Sequence, residues 1–197
     1  MITEEILLFC RNISDADLKK LPFQKAVFED VSNAWLVTQA QCYQIAKRKI
    51  PDWWAKAQVV FPDPQAVEQA SSEWLARWKQ TLIPPQVDTL VDLSAGLGVD
   101  AYFIGKRLKK SILIEPDLGR AKILEENFKR FGVPGIQVES TDALSFIQKN
   151  LHLFGPNTLV YVDPDRRTEE SHRITSDRKS TRLNSSHLAR SRMPSSA

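Results

Sequence analysis

Hydrophobic and polar positions along the 197-residue chain follow two patterns, which change near Pro84. Before that point apolar residues recur every three to four positions, the spacing of amphipathic helices. This spacing predicts a helix over residues 23–49, which ends before Pro51 because the residue preceding proline resists helical geometry. It predicts a second helix over residues 61–82. The stripes expected to face the interior contain Val27, Val31, Ala34, Trp35, Thr38, Cys42 and Ile45 in the first helix, and Ala70, Trp74, Trp78 and Leu82 in the second.

The five tryptophans all fall in this helical part of the chain: Trp35, Trp53, Trp54, Trp74 and Trp78. Aromatic rings interleaved with Lys and Arg can stack on nucleic-acid bases. Tryptophans four positions apart on a helix more often pack into a core or between domains. We therefore expect packing.

After residue 88 short apolar runs alternate with helical patterns of 10–15 residues. Strands are predicted over residues 89–93, 111–115, 135–140 and 157–163, and helices over residues 99–108, 117–133 and 142–151. This alternation is typical of a parallel, doubly wound α/β sheet. Chemistry in such sheets lies at the carboxyl ends of the strands.

Each predicted strand leads into a carboxylate: Asp92, Glu115, Asp142 and Asp163 in chain order. A turn containing Gly96 and Gly98 follows the first of these, and glycines let a ligand approach the backbone closely. Glu115 comes 17 residues after Gly98, close to the spacing of about 20 expected for a carboxylate that binds both ribose hydroxyls. Asp142 is then placed to accept from an adenine amino group, although it could instead cap the helix that follows. An acidic rim suits an adenosyl ligand with a cationic reacting centre.

The same turn also satisfies the G-x-G-x-x-A pattern of dinucleotide-binding proteins, from Gly96 to Ala101. Asp100 would then face a pyrophosphate with like charge, and neither Asp92 nor the Asp163-Pro164 pair belongs to that pattern. An NAD(P)-binding oxidoreductase is therefore the alternative rather than the first hypothesis.

Four segments, VDLSAGLGVD, LIEPD, STDAL and VYVDPDRR, resemble the successive signatures of class I S-adenosylmethionine-dependent methyltransferases over residues 90–167. LPFQK and VEQASSEWLARWK are further similar to bacterial methyltransferase-like proteins that carry a THUMP-like C-terminal domain. The resemblance implies a Rossmann-like sheet, S-adenosyl-L-methionine as cofactor, and RNA as the favoured methyl acceptor.

The resemblance also assigns residues. Asp92, Gly96 and Gly98 would line the methionine and ribose side, and Glu115 and Asp142 would bind ribose and adenine. The remaining predicted residues are Ser94, Asp100 and Ala143 for the cofactor, Asp163 and Pro164 for catalysis, and Arg166 and Arg167 for an acceptor phosphate.

One departure concerns the acceptor site. Enzymes that methylate base amino groups show Asn/Asp-Pro-Pro and an aromatic residue, whereas this chain has Asp163-Pro164-Asp165-Arg166-Arg167. Asp163 can still accept from an N–H, but no aromatic ring follows to stack. Arg166 and Arg167 could instead form salt bridges at a helix start.

Residues 177–197 match the translation of a widely used sequencing adapter: residues 177–187 and 191–197 agree in one frame, with a variable index between them. These residues carry a net charge of +4, which leaves −1 for residues 1–176 out of a total of +3. The basic balance is therefore no evidence for nucleic-acid binding. We expect the natural sequence to depart from this chain near Ser176.

The predicted organisation is a helical N-terminal domain (residues 1–84), an incomplete methyltransferase core (85–176) and a non-native disordered tail (177–197). A chain cut there would lack later strands, so it would be poorly stable and inactive, with the fourth strand as an apolar edge.

Composition and motifs also indicate the cellular compartment that we expect for the protein. The N-terminus has two glutamates where an export signal needs basic residues. No apolar run reaches the ~20 residues of a bilayer span. Cys10 and Cys42 lack metal spacing and are expected to be buried free thiols. We expect a cytoplasmic protein with no metal site. A non-catalytic RNA-binding or adaptor protein on the same fold is the third hypothesis, and oligomeric state is not predicted.

Overall fold

A computed structural model describes residues 2–56 and 58–163. The helices are α1 (Glu4–Asn12), α2 (Asp15–Lys20), α3 (Asn33–Lys49), α4 (Pro51–Lys56), α5 (Pro64–Gln69), α6 (Glu73–Thr81), α7 (Val99–Gly105), α8 (Leu118–Phe131) and α9 (Ala143–Lys149). The strands are β1 (Thr89–Asp92), β2 (Lys110–Ile114), β3 (Ile136–Glu139) and β4 (Thr158–Tyr161). Single 3₁₀ turns cover Leu21–Phe23 and Leu151–Leu153.

The residues before Pro84 are helical as predicted, but the predicted start of the first helix is wrong. Helix α3 begins at Asn33 rather than near residue 23, because Ser32 caps it by accepting the Trp35 N–H at 3.2 Å. The Asn33 side chain also donates to the Leu21, Gln24 and Lys25 carbonyls and accepts the Val27 N–H. These bonds hold residues 21–27 as a loop. The predicted end at Ile50 is correct.

The single helix predicted over residues 61–82 is wrong. Ala70 leaves helical geometry and Ser72 caps a new helix, α6, by accepting the Leu75 N–H. The stripe expected to be packed is exposed at Trp74 (74%), Trp78 (49%) and Leu82 (58%). Helix α6 instead packs on α7 through another face, where Ala76 is fully buried and Gln80 donates to the Phe103 carbonyl.

The four strands form a parallel sheet with the order β3-β2-β1-β4. Helices cover both faces. Leu90 and Leu113 face a core formed with α7, α8 and the N-terminal helices, whereas Val91 and Ile112 face Phe146 of α9. The predicted Rossmann-like α/β sheet, preceded by helices, is therefore confirmed.

The N-terminal helices and the sheet share this larger core. Trp53 of α4 is fully buried against Tyr102 of α7, with ring centroids 5.5 Å apart, and against Phe131. The buried Asn127 side chain pairs with both backbone groups of Val60, at 2.9 and 2.8 Å. The predicted division at residues 84 and 85 stays a prediction.

The structure also bears on the two cysteines, on membrane-spanning helices and on the fourth strand. Cys10 and Cys42 are buried free thiols, as predicted, and burial raises the pKa of each to about 12. None of the helices in the described ranges combines the length and apolarity needed to cross a bilayer. Within residues 2–163, β4 is an edge strand with Val160 partly exposed. The predicted tail lies outside the described residues.

Candidate functional site

The carboxyl edge of the sheet carries the four predicted acids in the spatial order of the strands. Asp142 follows β3, Glu115 follows β2, Asp92 ends β1 and Asp163 follows β4. Because the strands are parallel, all four belong to one edge of the sheet. The order along this edge is therefore Asp142, Glu115, Asp92, Asp163.

Asp92 is the most buried of the four, with 2% of its surface exposed. Its Oδ1 accepts the Ser94 N–H at 3.0 Å, and this bond closes the turn after β1. Burial and, to a lesser extent, the charge of Asp100 raise the pKa of Asp92 to about 7, against the opposing effects of the Ser94 N–H and Lys79. The carboxyl group therefore changes charge near neutral pH.

The glycines of this turn adopt positive φ angles, 51° at Gly96 and 82° at Gly98. Gly98 caps α7 and packs tightly, since a Cβ there would lie 2.5 Å from Leu124 Cδ1 and 2.8 Å from Phe128 Cε2. Gly96 is exposed, and a Cβ there would meet only the Ser94 carbonyl oxygen at 3.9 Å. The chain thus leaves open space at the Cβ position of Gly96.

Glu115 lies directly after β2 and is 6% exposed. Its Oε1 accepts the Asp117 N–H at 3.0 Å. Burial raises the pKa of Glu115, while the Asp117 and Gly96 N–H groups and Arg120 act against the rise.

Asp142 is exposed and caps α9, because its Oδ1 accepts the Ser145 N–H at 2.9 Å. Hydrogen bonds from Ser145 lower the pKa of Asp142. The capping alternative is therefore observed, and Ala143 is the first residue of that helix. A cofactor role for Asp142 and Ala143 stays a prediction.

Asp163 is joined to the turn after β1 by its backbone. Its N–H donates to Ser94 Oγ at 2.7 Å, while its side chain is exposed. Asp163 Oδ2 lies 3.4 Å from the Tyr161 hydroxyl and 3.7 Å from Lys79 Nζ. The other predicted acceptor residues, Pro164, Arg166 and Arg167, lie outside the described residues.

Asp100 has partners that the sequence did not predict. Its Oδ2 accepts from Ser71 Oγ at 2.7 Å, from Lys79 Nζ at 2.9 Å and from the Tyr161 hydroxyl at 2.9 Å. Its Oδ1 is buried and has no hydrogen-bond partner among the described residues. The charge of Lys79 compensates this carboxylate, so the repulsion expected between Asp100 and a pyrophosphate is weakened.

Sequence reasoning missed three members of this site: Ser71, Lys79 and Tyr161. Tyr161 could have been found, since it lies two positions before Asp163 and alternate residues of a strand share a face. Ser71 and Lys79 reach the site only because α6 packs on α7. No local pattern signals that contact.

Comparison with known proteins gives structural similarity alone. The chain matches no protein-family profile and no curated protein. A solved structure of a candidate methyltransferase from Porphyromonas gingivalis W83 superposes with a TM-score of 0.67 at 21% identity. The match covers 85% of this chain and 42% of that one, so the chain spans less than half of its neighbour's length.

A second solved structure, the candidate methyltransferase YhhF from Escherichia coli, is 27% identical over 38% of this chain and 42% of its own. Its TM-score is 0.33, so only the Porphyromonas structure bears on the fold. That likeness shows that the chain has a fold found in a candidate methyltransferase.

Proposed function

We propose that the protein is a class I S-adenosylmethionine-dependent methyltransferase with RNA as its acceptor. The observation that carries this proposal is the order of the four acids along the carboxyl edge, Asp142, Glu115, Asp92 and Asp163. Three spacings between neighbouring strands amount to about 14 Å, the length scale of an extended adenosylmethionine.

Each part of the cofactor has a matching group along this edge. Asp142 would accept from the adenine amino group, and the buried Glu115 side chain would accept from the ribose hydroxyls. A ligand would approach the turn at Gly96, where a Cβ would meet only the Ser94 carbonyl oxygen. The buried carboxyl of Asp92 suits the cationic methionine end, because binding a cation favours its ionised form.

The cofactor supplies an electrophilic methyl group on a positively charged sulfur, and its transfer leaves the neutral thioether. Asp163, at the β4 end, would accept an N–H of the acceptor and point the nitrogen lone pair at that methyl. In the transfer, the N–C bond would form as the S–C bond breaks, and the amine proton would pass to solvent. Positioning by Asp163 would supply most of the rate enhancement, as expected where the leaving group is good.

Methyl transfer from tritiated S-adenosylmethionine to total bacterial RNA tests this proposal. The assay uses the protein encoded by the source locus, after that locus has been sequenced across codon 176. This protein is called the locus product below. Label should enter material that ribonuclease degrades and protease does not, and Asp163→Ala, which removes the acceptor oxygens, should lower the initial rate by about 10²-fold or more. Label in protein would contradict the RNA assignment, and an unchanged rate in Asp163→Ala would contradict the role of Asp163.

A matched variant separates this role from a general loss of charge. Asp88→Ala removes a carboxylate at the opposite edge of the sheet, where Asp88 pairs with Lys109 at 3.3 Å. Its transfer rate should equal that of the wild type.

A further inference from the structure

Lys79 connects the N-terminal helices to the acceptor end of the site. Only 19% of its side chain is exposed, and its Nζ donates to Ser71 Oγ at 3.0 Å, to Asp100 Oδ2 at 2.9 Å and to the Tyr161 hydroxyl. It also lies 3.7 Å from Asp163 Oδ2. One ammonium group on α6 thus contacts residues from the turn before α6, from α7, from β4 and from the segment after β4.

Resting on the proposed function, we propose that Lys79 is a positioning residue that holds Tyr161 and Asp163 in place and sets the charge at the acceptor end. The ammonium has three protons, and Ser71, Asp100 and Tyr161 accept them. Its charge is then shared between the Asp100 carboxylate and the nearby Asp163 carboxylate.

The Tyr161 hydroxyl determines which of the two carboxylates depends on Lys79 for its counter-charge. A phenol has one proton to donate, and the Tyr161 hydroxyl lies 2.9 Å from Asp100 Oδ2 but 3.4 Å from Asp163 Oδ2. The shorter bond therefore goes to Asp100, and Lys79 is the cation that remains to balance Asp163. Burial and Asp100 both raise the pKa of Tyr161, which keeps its proton in place for that bond.

The charge at this end of the site determines how tightly a cationic cofactor binds relative to a neutral product. Asp92, Asp100 and Asp163 bring three acids to the end of β1 and β4, and Lys79 acts electrostatically on Asp92 as well. Loss of the Lys79 ammonium would make the net charge around these three acids more negative. A cationic ligand would then bind more tightly relative to a neutral one, because Coulomb interactions are strong in a poorly solvated site.

Two S-adenosylmethionine analogues measure that difference without any acceptor. S-adenosylhomocysteine is a neutral thioether at the reacting position, whereas sinefungin carries a protonated amine there. Calorimetry gives the ratio of their dissociation constants for the locus product. In Lys79→Met the ratio should shift toward sinefungin by about tenfold.

Lys79→Arg keeps the charge and should restore the wild-type ratio within about twofold. Lys109→Met is the matched control, because Lys109 lies at the opposite edge of the sheet, is 84% exposed and pairs with Asp88. It should leave both affinities unchanged. If Lys79→Met does not fold, Lys79→Gln keeps a donor toward Tyr161 and should shift the ratio in the same direction.

Three results would overturn the inference, and they are distinguishable. An unchanged ratio in Lys79→Met and Lys79→Gln would remove Lys79 from the acceptor end while leaving the proposed function intact. An equal loss of both affinities would make Lys79 a purely structural residue. A wild-type protein that binds neither analogue would overturn the proposed function and this inference with it.

Discussion

Ser94 Oγ accepts the backbone N–H of Asp163 at 2.7 Å, so the turn after β1 and the end of β4 are directly joined. The backbone of Ser94 also donates to Asp92 Oδ1 at 3.0 Å. One small residue thus links the acid proposed for the cofactor to the acid proposed for the acceptor. In-line transfer depends on the relative position of those two groups.

The first prediction concerns the stability cost of burying Asp92. Its pKa is about 7 in the folded protein against an ordinary 3.8, so the folded state binds more protons between these values. The free energy of unfolding therefore falls as pH rises from about 4 to about 7. Asp92→Asn, which keeps an acceptor for Ser94, should stabilise the ligand-free protein at pH 8 by roughly 2–4 kcal/mol. Urea unfolding measures this.

The gain should shrink as pH falls toward 4 and approach zero below that, where Asp92 becomes protonated in both states. An equal gain at pH 4 and pH 8 would show that the effect does not come from the charge of Asp92. The same substitution should abolish binding of S-adenosylhomocysteine, so stability and function would change in opposite directions.

The second prediction is a release of protons on cofactor binding. If the cationic methionine end binds beside Asp92, the ligand favours the ionised carboxylate, whose pKa is about 7 without ligand. At pH 6 binding should release close to one proton, and affinity should fall by up to about tenfold per pH unit below 7. Calorimetry in buffers of different ionisation enthalpy counts these protons. An affinity that is flat from pH 5 to pH 8 would contradict the assignment.

The third prediction concerns two tryptophans, Trp53 and Trp74, for both of which the sequence pattern predicts packing. Trp53 is fully buried between Tyr102 and Phe131, whereas Trp74 is 74% exposed. Trp53→Ala should lower the free energy of unfolding by about 3–5 kcal/mol, through the cavity it leaves. Trp74→Ala should lower it by about 0.5 kcal/mol or less. Urea unfolding followed by circular dichroism tests both, and similar losses would contradict the packing.

The fourth prediction concerns Gly98. Both Gly98 and Gly132 have positive φ, but a Cβ at Gly98 would collide with Leu124 and Phe128, while one at Gly132 meets nothing within 4 Å. Gly132→Ala should cost about 1 kcal/mol for the left-handed conformation alone. Gly98→Ala should cost about 1–3 kcal/mol more, through overpacking. Equal losses in urea unfolding would show that the contact with α8 is not restrictive.

The fifth prediction concerns the sequence beyond Ser176. Amplification of the source locus and sequencing across codon 176 without adapter ligation should show a reading frame that departs from residues 177–197. A genome that encodes these residues as written would contradict the adapter interpretation. The non-catalytic RNA-binding hypothesis would then move to first place.

The sheet could be predicted from sequence because its signals are local. Short apolar strands such as Leu90-Val91 are followed by turn and cap residues, and Gly132 ends α8 in the left-handed conformation that glycine favours. The acids then follow from topology, since residues after parallel strands meet at one edge. Neither step needs knowledge of the rest of the chain.

The contacts between α6 and the sheet could not be predicted in the same way. Trp74 and Trp78 form a regular apolar stripe, yet the face that packs on α7 contains Ala76, Lys79 and Gln80. Polar side chains satisfied across the contact compensate for its modest apolar content. Periodicity ranks faces by hydrophobicity and misses such a contact.

Calorimetric titration of the locus product with S-adenosylhomocysteine, and in parallel with NADH, tests the central claim most directly. The acids along the carboxyl edge predict one bound S-adenosylhomocysteine per chain, no heat with NADH, and loss of binding in Glu115→Gln. Binding of NADH without S-adenosylhomocysteine would contradict the proposed function and favour the dinucleotide alternative.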